Sequence, residues 1–318
     1  MKFFISRCLF SLVVICGACI SAFCQTIIDT AARSKVFAEG VVSTPYTEWA
    51  TSFAPDGKTV YFSRGAVYWT MCCSNMVDGK WTKPRVVNIS GQWSDTDLFV
   101  SPDGKRMFFI SNRPLPGTPQ DKHQKSYHIW YADHLLGDDW SAPHYVEGAV
   151  NEAGVGNYAP SVSSLGTLYF CSRGRDGHAG MASFAAKWLG DHYDTPKYIT
   201  LNGKEDMQDP FIAPDESYLL FVNGNDLYIS FHQGDNWSAA QKLGRQVNNG
   251  DSNSSPYVSA DGKMLYYSSS RIQGFYKRDP KAQPLNYDGL VNEMQSIFNS
   301  QPNILMIPVN LPATKLKT

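Results

Sequence analysis

The sequence predicts an all-β chain, a five-bladed β-propeller of four-stranded blades whose ring is closed by an N-terminal strand. Three observations carry this. One hairpin motif recurs five times along the 318 residues. The last repeat lacks a fourth strand, while an unpartnered strand-like piece precedes the first. Aromatic residues reach 13 %, as suits pleated, half-buried surfaces.

The best-kept hairpin is Ser101-Pro102-Asp103-Gly104-Lys105 followed by Arg106 to Arg113. Pro102 presets φ, Asp103 bonds the local backbone, and Gly104 supplies the positive φ of a tight turn. Met107 to Ile110 then form a short apolar strand. The segments Thr51–Arg64, Leu98–Arg113, Pro160–Arg173, Pro210–Asn223 and Pro256–Arg271 align on this frame. Copy three has Leu165 near the Asp position, and copy four has Glu216 for Gly.

Third strands are predicted at Ala66–Thr70, His128–Ala132, Met181–Phe184, Asp226–Ser230 and Asn303–Ile307. Fourth strands open on an aromatic, at Trp81–Pro84, Trp140–Pro143, Tyr193–Pro196 and Trp237–Ala240. Their prolines suit an edge strand, where a missing N–H costs no ladder bond. Four strands every fifty or so residues is the pattern of a propeller blade. The blades fall at about residues 46–90, 95–150, 157–202, 207–248 and 253–311, within one domain over 25–318. Residues 34–44 are predicted to complete the last blade, which removes an open sheet edge.

Two insertions depart from the frame, Pro114–Lys125 in blade two and Ile272–Pro302 in blade five. In the latter, Leu290, Met294, Ile297 and Phe298 have helical spacing, which predicts a short helix within Tyr287–Phe298 packed on the ring or over one mouth.

Residues 1–24 read as a secretory signal. Lys2 and Arg7 precede the apolar run Cys8–Ile20, and Ala22-Phe23-Cys24 offers a cleavage site before Gln25. The run is short of the ~20 residues that a membrane span needs. A lipoprotein ranks below simple export, because Cys16 stands where a lipobox wants an aliphatic residue ahead of Cys19. The expected location is therefore periplasmic or secreted, with no stable membrane span after cleavage. The mature chain carries about −3 charges, and no basic stripe points to nucleic acid. Cys72, Cys73 and Cys171 remain after cleavage. Either of the adjacent pair could bridge to Cys171, or all three stay thiols; neighbours in a strand face opposite ways.

The repeated Ser-Pro-Asp-Gly-Lys-x-x-Phe/Tyr-Phe-x-Ser, with a following Asn-Arg and an Ile-Trp-Tyr or Leu-Tyr-Ile strand, resembles the WD40-like (PD40) propeller repeats of the TolB type. The resemblance spans about Val36 to Pro308 and implies an exported bacterial propeller. It says little of activity, since propellers host many. The translocation protein TolB has a further N-terminal α/β domain. The ten or so residues after Gln25 leave no room for it, so a Tol-system role is not expected.

Candidate functional residues lie where strands end. Arg64, Arg113, Arg173 and Arg271 close the second strands and, if equivalent, form a ring at one rim. Such a ring suits an anion or carboxylate; the plainer expectation is that each pairs with an acid of its own or the next blade. Glu48, Asp95, Asp97 and Asp209 precede or open first strands and are expected near the channel mouth, with Asn157 and Asn253. Asp95 and Asp97 could join Asp209 on a cation, but solvated acids bonding turn amides are the stronger expectation.

No cofactor or metal is expected. The histidines show no His-Glu-x-x-His, and there is no Gly-x-Ser-x-Gly elbow and no sialidase Asp box. The Gly-rich Arg173–Gly180 connects strands and is read as a turn. The resulting expectation is a non-enzymatic module that binds or scaffolds an envelope protein, peptide or glycan. The competing reading is a glycan-active hydrolase or lyase with its site at the channel mouth.

Overall fold

The computed structural model describes residues 27–201, 206–234, 236–271 and 279–311. Residues 1–26, with the segment expected to be a signal, and residues 272–278 of the blade-five insertion lie outside the described residues. No helix among the described residues is long and apolar enough to cross a membrane.

Five antiparallel sheets form the ring. Blade one is built on Glu48–Phe53, Thr59–Gly65 and Trp69–Val77, blade two on Asp95–Val100, Arg106–Ser111 and His128–Asp133. Blade three is built on Gly156–Val162, Leu168–Arg173 and Met181–Ala186, blade four on Gln208–Ile212, Tyr218–Asn223 and Asp226–Gln233. Blade five takes Asn253–Val258, Met264–Ser269 and Asn303–Pro308, and Lys35–Val36 is its fourth strand. Lys35 pairs with Met306 and Val36 with Leu305. The Tyr267 hydroxyl donates to Ser34 Oγ at 2.6 Å, and Phe37 sets its ring edge-on to Trp81 of blade one and Tyr266 of blade five. The N-terminal piece thus closes the ring by backbone pairing and by an aromatic wedge between the first and last blades.

Three expectations need correction. The third strand of blade one starts at Trp69, and Val67 and Tyr68 stand exposed in the turn before it. The apolar letters read as strand, but the chain reverses there: Gly65 pairs with Trp69, and a Cβ on Gly65 would lie 2.2 Å from the Tyr68 carbonyl oxygen.

The fourth strands are also broken, although Trp81 and Trp237 do pair with the third strands, in Lys80–Trp81 and Asn236–Trp237. Trp140 and Tyr193 make only isolated bridges, to His134 and Trp188. The outer strands resume at Arg85–Val86, His144–Tyr145, Lys197–Tyr198 and Gln241–Lys242. Pro84, Pro143 and Pro196 sit at the break, because a residue without N–H interrupts the ladder. The helix covers only Tyr287–Met294 and buries no residue. Phe298, beyond its end, is what packs on the core.

All five first strands carry the same irregularity. Their register shifts by one bulge, between Trp49 and Ser52, Thr96 and Phe99, Tyr158 and Ser161, Gln208 and Phe211, and Ser254 and Tyr257. The bulged residues Ala50, Asp97, Ala159, Asp209 and Ser255 all have left-handed backbone, with φ from 46 to 54°. These five residues wall the channel.

Candidate functional site

The bulge sorts the predicted acids into two sets. Two residues before it, Glu48 and Asp95 are fully buried, beside Arg64 and Arg113. At the bulge itself, Asp97 and Asp209 line the channel. Strand alternation places Asp95 and Asp97 on one face; the left-handed residue breaks that alternation.

The arginines are clamps inside the ring. Arg64 Nε donates to Glu48 at 2.9 Å, and its Nη2 to the carbonyls of Val41 and Val42. Arg113 Nη2 donates to Asp95 at 2.7 Å and to the Ile89 carbonyl at 3.1 Å. Arg271 pairs with Asp251 at 3.1 Å. The four are not equivalent in register. Arg64 lies opposite Glu48, whereas Arg113 lies two residues past Ser111, which faces Asp95.

In blade three the clamp is Arg175, not Arg173. Gly174, at φ 80°, and a short 3-10 turn carry Arg175 back over the sheet. It is buried and donates to Ala149 and Val150 carbonyls at 2.9 and 2.6 Å, while Arg173 stays exposed. Burial pushes the Glu48 carboxyl up to about 7, against the pull of Thr44 and Arg64. Asp95 is raised by burial despite Arg113.

Asp97 and Asp209 stitch blades together. Asp97 Oδ2 accepts the Ala159 N–H at 3.0 Å, and Asp209 Oδ2 accepts that of Ser255 at 2.9 Å. The alternate junctions use serine: Ser52 Oγ accepts from Val100 N, and Ser161 Oγ from Ile212 N, both at 3.0 Å. The Tyr257 hydroxyl, bonded to Ser52 and the Phe53 backbone, closes the series from blade five to blade one. Burial first, then the Asp209 charge, pushes Asp97 up to about 7.

The channel is plugged. Phe99, Phe211 and Tyr257 meet across it with ring centroids 5.3 to 6.2 Å apart. They separate a cavity of about 40 Å³ beside Asp97 and Asp209 from one of about 50 Å³ below. The upper one has room for about three waters. Among the described residues, no group of three or more His, Cys, Asp or Glu side chains is placed to hold a metal. Cys72, Cys73 and Cys171 are buried free thiols. Cys72 and Cys73 join different core clusters, as opposite facing requires.

A larger concavity lies elsewhere. A groove of about 960 Å³ runs between the outer flanks of blades two and three. Tyr131, His144 and Tyr145 line one side, and the hairpin from Trp188 to Thr195 lines the other. A second hollow of about 860 Å³ shares Arg106, Trp188 and Tyr193 with it. Only the recurring aromatic that opens each fourth strand hints at this groove in the sequence.

The chain matches no protein-family model, and no curated protein matches it by sequence. Its fold is similar to solved propellers at low identity. TolB of Acinetobacter baumannii is 14 % identical with a TM-score of 0.47, over 84 % of this chain and 55 % of that one. The chain thus spans about half the length of that TolB. A Dyadobacter fermentans protein of unknown function is 13 % identical, TM-score 0.50, over 88 % and 98 %. A gluconolactonase of Xanthomonas campestris is 10 % identical, TM-score 0.48, over 90 % and 92 %. At these identities the likeness reaches no further than the fold.

Proposed function

We propose that this propeller is an exported, non-enzymatic recognition module that binds a protein, peptide or glycan of the envelope. The observation that carries the reading is the aromatic plug of Phe99, Phe211 and Tyr257. It confines the channel acids to a cavity of about 40 Å³, far below the ~300 Å³ at which ligand pockets begin. Of the four predicted rim arginines, Arg64, Arg113 and Arg271 are already paired with acids, and Arg173 alone stays exposed to meet an external anion. The open concavity is on the flank, where ligands bind without entering the ring.

One observation favours the enzymatic alternative. Asp97, raised to about 7 beside Asp209, has the proton affinity of a general acid. Its carboxylate is committed to the Ala159 amide, and the cavity does not admit a sugar ring. Incubating the purified mature chain with oligosaccharide and peptide panels tests the reading. Binding without turnover supports it; product formation that D97N abolishes overturns it.

A further inference from the structure

The recognition reading leaves the ligand's chemistry open, and the following inference rests on it. We propose that the groove between blades two and three binds an extended peptide segment bearing arginine or lysine.

The charge balance of the groove points to a cation. Arg106 is spent on Asp133 at 2.8 Å, and Lys105 at the edge lies 3.7 Å from Asp103. Glu147, Asp191 and Asp194 also line the groove. Among the described residues, none of the three pairs with a lysine or arginine. Asp191 meets only its neighbour His192, and Asp194 accepts the Lys187 backbone N–H. The groove therefore presents Glu147 and Asp194 beyond those its lysine and arginine neutralise, and Asp191 as a third whenever His192 is neutral.

The walls show how such a cation is held. The Arg106 guanidinium sits 4.0 Å from the centre of the Tyr131 ring, and His144 stacks on Tyr131 at 5.1 Å. Trp188, 38 % exposed, offers a second aromatic surface on the hairpin that carries Asp191 and Asp194. An aromatic face with carboxylates beside it is the setting in which a guanidinium or ammonium gains both cation–π and Coulomb energy. The shape favours a chain over a compact ligand. The two hollows adjoin at Arg106, Trp188 and Tyr193, so a chain laid over these residues reaches both. A neutral glycan would stack on the rings and donate hydroxyls to the carboxylates but leave their charge uncompensated.

The test is fluorescence anisotropy with a labelled seven-residue peptide carrying arginine at alternate positions. A glutamate counterpart and a neutral hexasaccharide run in parallel. E147Q, D191N and W188A change exposed groups, and their folding is checked by thermal melting. The arginine peptide should bind. Each variant should weaken it about three- to tenfold, added salt should weaken it further, and D97N should leave it unchanged. Absent binding, or binding that all three variants leave intact, overturns the proposal. Hexasaccharide binding lost in W188A, with no peptide binding, overturns the peptide assignment while the recognition reading stands. Turnover of either probe overturns the recognition reading itself.

Discussion

The Asp97 carboxylate of blade two accepts the backbone N–H of Ala159 in blade three at 3.0 Å, and both residues have left-handed backbone. One bulge thus binds the next across a blade junction. Asp209 and Ser255 repeat the arrangement between blades four and five.

Asp97→Ala removes the acceptor of a buried amide and should cost about 1–3 kcal/mol. Asp97→Asn keeps an acceptor oxygen and tolerates the left-handed backbone, so it should cost little. Urea unfolding at pH 4, below most of the Asp97 titration, separates the two.

The pH dependence has a definite sign. The Asp97 carboxyl rises from its ordinary 3.8 to about 7 in the folded chain, and Glu48 from 4.5 to about 7. Between those values the native state holds protons that the unfolded chain has released. Stability therefore falls as pH rises from about 4 to about 7 and levels off above. His128, lowered by burial, works in the opposite sense below its ordinary 6.5. D97N isolates the aspartate: relative to wild type it should gain on the order of 1–3 kcal/mol at pH 8 and little at pH 4. Denaturation at the two pH values measures the difference.

The clamp arginines should be distinguishable by stability. Arg113 and Asp95 are a buried pair, so Arg113→Met strands a carboxylate and should cost about 3–5 kcal/mol. Arg175→Met should also destabilise, since it abandons the Ala149 and Val150 carbonyls. Arg173→Met should stay within about 0.5 kcal/mol, as for an exposed side chain. Equal losses at 173 and 175 in thermal melts would contradict the assignment.

Ring closure rests on Phe37, which is buried between Trp81 and Tyr266. Phe37→Ala should cost about 3–5 kcal/mol. Hydrogen exchange should show the loss first at Asn303–Pro308, whose edge the N-terminal strand covers.

Much of the fold was legible because its signals are local. The Asp-Gly turns and the short aromatic strands recur in sequence, and the missing fourth strand of the last repeat matches the spare piece at the start. The site was less legible. A bulge adds a residue without any fixed letter: Ala50, Asp97, Ala159, Asp209 and Ser255 share a conformation but not a side chain. Alternation therefore put Asp95 and Asp97 together, where the structure parts them. Arg175 takes the place expected of Arg173 because the extra turn at Gly174 is a backbone event. The plug of Phe99, Phe211 and Tyr257 looked like ordinary strand aromatics. The groove needs the flanks of two blades, so no single repeat contains it.

The central claim is that the channel acids hold the ring together and perform no chemistry. It is tested most directly in the double variant D97N/D209N, by measuring stability at pH 8 alongside turnover across an oligosaccharide panel. The expected result is a folded ring, more stable than wild type at that pH, and no product from either protein. Turnover by wild type that disappears in a folded double variant would contradict it.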